Sequence, residues 1–133
     1  MKVLRISIIS LIVLFIFNFS AFSNPLIELP KGILIALKSG NSKELAKFFN
    51  SNIELEIFGD EEVYSKAQAE LILKDFFSKH SPSGFSKLHE GGKDGSKYVI
   101  GNLSTSTGTY RVYFLLKDKG GKAYIHELRI EDE

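Results

Sequence analysis

His126, with Tyr110 and Tyr124, carries the side chains in this 133-residue sequence best suited to chemistry. An imidazole held among apolar groups sheds its proton below the usual pKa of about 6.5, so at neutral pH it gives or takes a single hydrogen bond. Two phenols beside it, with Tyr64 as a fourth contact, would orient the polar end of an otherwise apolar ligand. With His126 as general base and a tyrosine as donor, the same set would move a proton. Glu54 and Glu56 are two residues apart on an alternating stretch, which separates their Cα atoms by roughly 6.5 to 7 Å and invites comparison with the paired carboxylates of glycoside hydrolysis. Ile53, Leu55 and Ile57 claim the core side of that stretch, so the two carboxylates read as solvated charges.

The other polar motifs carry less. His80 and His89 stand next to turns and read as exposed; no histidine pair has helical spacing and cysteine is absent, so no metal centre is expected. The loop Gly91 to Lys97 lacks the spacing of a phosphate loop and no helix follows it, and no Gly-x-Ser-x-Gly elbow occurs, so no cofactor or serine nucleophile is expected. Asn102-Leu103-Ser104 matches a glycosylation acceptor but lies within a predicted strand and is given no function.

The elements that must position these residues follow from periodicity. Leu26, Leu29, Ile33, Ala36 and Leu37 space a first helix with Pro30 in its first turn and Gly40 at its end. Asn41 and Glu44 resemble a capping box for a short second helix striped by Leu45, Phe48 and Phe49. Ile53 to Phe58 alternates as a strand, Gly59 and Asp60 turn it, and Val63 and Tyr64 return. Ser65 and Gln68 cap a third helix to about Lys79, with Ala69, Ile72, Leu73 and Phe76 inward. Four further strands are predicted near Phe85 to Glu90, Tyr98 to Thr105, Thr109 to Lys117 and Lys122 to Ile130, separated by glycine-containing turns. The order ααββαββββ predicts an α+β domain, three helices on a curved antiparallel sheet.

Facing follows from pairing. A turn at Thr107-Gly108 sets Leu103 opposite Val112. A three-residue loop after Asp118 then places Tyr124, His126, Leu128 and Ile130 on the inner face with Tyr110, Val112, Phe114 and Leu116, whereas an even loop would turn Glu127 and Arg129 inward. The opposite face carries Tyr98, Ile100, Tyr113, Leu115 and Ile125 among Asn102, Arg111, Glu127 and Arg129, a mixture suited to a moderate homodimer interface.

Residues 1 to 23 have the form of a cleaved secretory signal peptide: Lys2 and Arg5, an apolar run from Ile6 to Phe17, and small residues Ala21 and Ser23 before Asn24. Cleavage leaves residues 24–133 as one domain, with 15 basic against 16 acidic residues, no membrane span, and a charge balance that argues against nucleic acid. The protein is therefore expected in the periplasm or secreted.

The segments "ALKSGNSKELAKFFN", "VYSKAQAELILKDFF" and "YRVYFLLKDKGGKAYIHELRI" resemble an exported bacterial family known as domain of unknown function 4783, within the nuclear-transport-factor-2-like superfamily. The resemblance covers roughly Leu26 to Ile130 and implies a cone of helices closed by a bent, cystatin-like sheet. Enzymes of that superfamily, such as ketosteroid isomerases, need a carboxylate inside the cone, and the predicted inner face offers none. The reading is therefore a non-catalytic module binding a small apolar or amphipathic ligand, or a partner protein, through His126, Tyr110, Tyr124 and Tyr64. The alternatives are a dimerisation module using the outer sheet face, and a small isomerase, dehydratase or hydrolase using His126.

Overall fold

The computed structural model describes residues 27–133, so the expected signal peptide and the residues immediately after it lie outside the described part. Helix α1 (Lys31–Ser39) starts at Pro30, which occupies the N-cap rather than the first turn, and stops at Gly40 in the left-handed conformation (φ 65°). Helix α2 (Ser42–Ala46) is capped by the Asn41 side chain, which accepts the Glu44 N–H at 3.1 Å. It is shorter than its apolar stripe suggested, because Phe49 already opens strand β1 (Phe49–Ile57). A tight hairpin leads to β2 (Asp60–Ser65), and helix α3 (Lys66–Lys79) follows through the expected reciprocal Ser65 and Gln68 capping box. Strands β3 (Pro82–Lys93), β4 (Ser96–Thr105), β5 (Gly108–Lys119) and β6 (Lys122–Asp132) complete the chain.

The sheet departs from the expected antiparallel cone. Its order is β2-β1-β6-β5-β4-β3, and β1 runs parallel to β6, which makes the sheet mixed. It is open, with β2 and β3 at its edges, and it neither closes nor curls strongly into a cone. The period-two pattern of Ile53, Leu55 and Ile57 fits either strand direction, so it is silent on the parallel pairing. Strong curling needs bends that line up across neighbouring strands. Of the four ladder irregularities, the jump between β1 and β6 and the bulge between β5 and β6 coincide at His126, whereas the two in β3 project onto β5 near Thr109 and Val112, so no single line of bends crosses the whole sheet.

One face of the sheet holds the core. Ile53, Leu55, Val99, Leu103, Val112, Phe114, Leu116, Ile125, Leu128 and Ile130 pack there against Ile33, Leu37, Leu45, Leu73 and Phe76 from the helices. The β4 to β5 turn lies at Ser106-Thr107, so Leu103 faces Tyr110 and Gly101 faces Val112. This is a slip of two residues from expectation, and a slip of two preserves every facing.

The β5 to β6 hairpin changes more. Its turn has two residues, Gly120 and Gly121, between paired Lys119 and Lys122, yet Glu127 and Arg129 stay outside. A bulge reconciles the two facts: Leu116 pairs with Ile125 and Leu115 with Glu127, leaving His126 as the extra residue. Ile125 is consequently a fully buried core residue, not part of the outer face, and Tyr124 pairs with Lys117 on the outer side. Facing alternates only along an unbroken ladder, and one bulge is enough to exchange Ile125 with its two neighbours.

Candidate functional site

His126 stands where the ladders on both sides of β6 break. Between β6 and β1 the register jumps from Phe49 opposite Ile125 to Glu54 opposite Glu127, so four residues of β1 pass a single position of β6. On the β5 side lies the bulge. The result is a cleft of about 270 Å³ lined by Asn52, Ile53, Glu54, Val63, Leu115, Lys117, His126 and Glu127. The Nε2 atom of His126 is buried and has no hydrogen-bond partner among the described residues. A buried polar atom left unpaired costs roughly 1 to 3 kcal/mol, so this nitrogen is where the cleft can reward a polar group.

Burial holds the His126 pKa below the ordinary imidazole value, with Lys117 and then Lys119 adding electrostatic opposition to a second proton. The ring is therefore neutral at pH 7. A group whose folded pKa is depressed binds protons more readily when unfolded, so its neutral-state stability is present above pH about 6.5 and is lost as pH falls through the lower folded value. Thermal unfolding followed across that window is expected to show a decline in stability that His126→Asn reduces; an identical pH profile for the variant would exclude His126 as its source.

The remaining expected contacts do not converge on this cleft. Tyr124 lines two other surface clefts, one with Asn50, Ser51 and Lys119 and the other with Pro30, Phe48 and Lys122. Tyr64, half-buried opposite Ile53, has its phenol pKa raised by burial and by the neighbouring Glu62 carboxylate. Tyr110 lies on the core face, seven residues along β5 from the Lys117 that pairs with Tyr124, or roughly 23 Å along a strand.

Tyr110 instead belongs to a polar cluster built around His80. The His80 Nδ1 lies 2.6 Å from Thr107 Oγ1 and 3.2 Å from the Tyr110 hydroxyl, which is itself 2.8 Å from Thr107 Oγ1. Phe58 closes over this group, its ring 5.4 Å from Tyr110 and 6.0 Å from both Phe76 and His80. Phe58 and Gly59 form the two-residue β1 to β2 turn, both with positive φ (51° and 84°), a conformation that a bulky side chain adopts at a cost. The ring packing offsets that strain. His80 was expected to be exposed; the missing signal was the backward extension of β3, whose Pro82 pairs with Thr105 and brings the end of α3 to the β4 to β5 turn.

The outer sheet face presents Tyr98, Ile100, Tyr113 and Leu115, all half-exposed. Tyr98 and Tyr113 stack at 6.2 Å, and the Arg129 guanidinium lies 5.0 Å over the Tyr113 ring. Arg129 is fixed by Glu127, to which its Nε donates at 2.6 Å, and by Glu56 at 3.5 Å. Arg111 donates from Nε to Asn102 Oδ1 at 3.0 Å. Burial and the Glu127 charge raise the Tyr113 pKa, so the phenol stays protonated as a donor. Carboxylate oxygens of Glu54, Glu61 and Glu127 gather within 4.8 Å of one another at the β2 side of the same face.

A family model described as domain of unknown function (DUF4783) matches residues 30–131. A DUF4783 protein of Bacteroides ovatus is 36% identical, the match covering 80% of this chain and 96% of that one with a TM-score of 0.77. One from Bacteroides fragilis is 34% identical over 80% of this chain and all of its own length, also at 0.77. An NTF2-like protein of unknown function from Cytophaga hutchinsonii matches at 12% identity and TM-score 0.55, covering 77% of this chain and 84% of its own, a likeness of fold alone. No curated protein matches the chain.

Proposed function

For a chain that belongs to the DUF4783 family of NTF2-like proteins, we propose a non-catalytic role as an exported association module that works through the outer face of its sheet. One observation carries this reading. The face turned toward the helices is filled, with Val112, Phe114, Leu116 and Leu128 fully buried, while the opposite face displays Tyr98, Ile100, Tyr113 and Leu115 inside a rim of Arg111, Arg129 and Glu127. Aromatic residues and arginine at the centre of a half-exposed patch are the composition of an interface core. Export rests on the basic start, apolar run and small-residue site of residues 1 to 23.

Tyr113 is the central contact of that patch. Tyr113→Asp is expected to weaken association by about 2 kcal/mol or more, the loss typical of a central aromatic anchor. Sedimentation of the two proteins over a concentration series would read this, with far-ultraviolet circular dichroism verifying the fold. Wild-type protein that sediments as a monomer throughout the series would defeat the reading as self-association.

A second reading is favoured by the unpaired His126 Nε2: a small ligand seated in the 270 Å³ cleft. Native mass spectrometry of gently purified protein would retain such a molecule, and His126→Leu would release it. Bare protein in both spectra would leave only a bound water to satisfy the imidazole.

A further inference from the structure

The two edges of the sheet are unequally defended. Strand β3 begins with Pro82, bends at two ladder irregularities and carries Lys87 and Lys93, all features that discourage another strand from pairing. Strand β2, the other edge, has none of these. It runs in unbroken register from Asp60 to Ser65 against β1, and its outer row of backbone donors and acceptors is unpaired among the described residues. Val63 on this edge is 65% exposed, an apolar side chain offered to solvent at the sheet margin.

Charge selects what fits there. Asp60, Glu61 and Glu62 are consecutive and exposed, and among the described residues neither they nor Glu54 makes an ion pair. Like charges on neighbouring strands repel, and Glu56 already faces Glu61 across the ladder. A second copy docking β2 against β2 would add three more carboxylates to this repulsion. An extended segment with basic residues would relieve it, placing ammonium groups beside Glu61 and Glu62 and an apolar residue beside Val63.

We propose that the β2 edge receives an extended, lysine- or arginine-bearing segment of a partner protein by strand addition. The β2 edge adjoins the outer face argued above, where Glu127 approaches Glu61, but its occupancy does not depend on that reading. Backbone pairing supplies the affinity, and the acidic run supplies the choice of partner and its register.

The test uses the peptide acetyl-Thr-Thr-Val-Lys-Lys-Lys-amide, which in antiparallel register sets valine opposite Val63 and lysines opposite Glu62, Glu61 and Asp60. Titration against the whole protein is expected to slow amide hydrogen exchange in residues 60–65. A version N-methylated at alternate residues keeps its charge but loses the ladder, and is expected to bind at least ~10-fold more weakly. Glu61→Gln with Glu62→Gln is expected to weaken the parent peptide about 5-fold or more at low salt. Equal binding of the two peptides would reduce the effect to bulk electrostatics and overturn the proposal. So would exchange protection of residues 60–65 by calcium chloride alone, which would make the carboxylates a cation site, or protection that grows with protein concentration without peptide, which would make the occupant a second copy.

Discussion

Phe114→Ala is expected to cost about 3 to 5 kcal/mol of folding stability, a large share of a total margin of about 5 to 15 kcal/mol. Phe114 is fully buried on β5, flanked by Val99 on β4 and Leu128 on β6, which are also fully buried. Both neighbouring strands are held by ladders, so the site has little freedom to collapse around the missing ring, and the cavity term adds to the lost transfer energy. Leu88→Ala, at a side chain 53% exposed on the β3 edge, is the matched control and should change stability by about 0.5 kcal/mol or less. Equilibrium urea unfolding of the three proteins measures both. A Phe114→Ala loss no larger than the Leu88→Ala loss would mean that the helices do not seal the sheet face as described, and would reopen the interior as a ligand site.

Gly101→Ala carries the second large effect and a sign that two terms contest. Alanine restricts the unfolded chain and favours strand over glycine, which together would stabilise by about 0.4 to 1 kcal/mol. Against this, a Cβ at Gly101 would press into the Phe85 ring and lie 2.6 Å from the Ser86 carbonyl oxygen, a backbone atom that cannot swing aside. Crowding of this kind costs about 1 to 3 kcal/mol, so the net change should be destabilising. Because Lys87, opposite Gly101, adjoins one of the irregularities of β3, the strain should be released by loosening that edge. Faster amide exchange in residues 82–93, with β5 and β6 unchanged, is the expected signature. A variant as stable as the parent would show that Phe85 does not rest on Gly101 in solution.

Local chemistry made most of the elements legible. Asn41 and Ser65 cap their helices as their positions foretold, Gly40 ends α1, and the four C-terminal strands lie where their alternation put them. What failed depended on information that no short window contains. The parallel pairing of β1 with β6 joins segments from opposite ends of the domain, and strand alternation has no direction. The bulge at His126 is invisible to a parity argument that assumes one residue per rung, and it moved Ile125 into the core. His80 looked solvated because its partner Thr107 is 27 residues away, across a register that had to be extended to be seen. The family was legible because its wording spans the scaffold, and for the same reason it was silent on chemistry.

The parallel contact between β1 and β6 has a consequence for how the protein is made. Strand β1 has only β2 beside it until β6 is present, and a lone two-stranded hairpin has marginal stability in water. Pairing Phe49 with Ile125 closes a loop that contains α3 and every other strand, so its entropy is spent before its contacts repay it. A nascent chain leaving the ribosome cannot build this sheet from its N-terminus outward. The first strand waits for the last, and the sheet is completed only once β6 has been made.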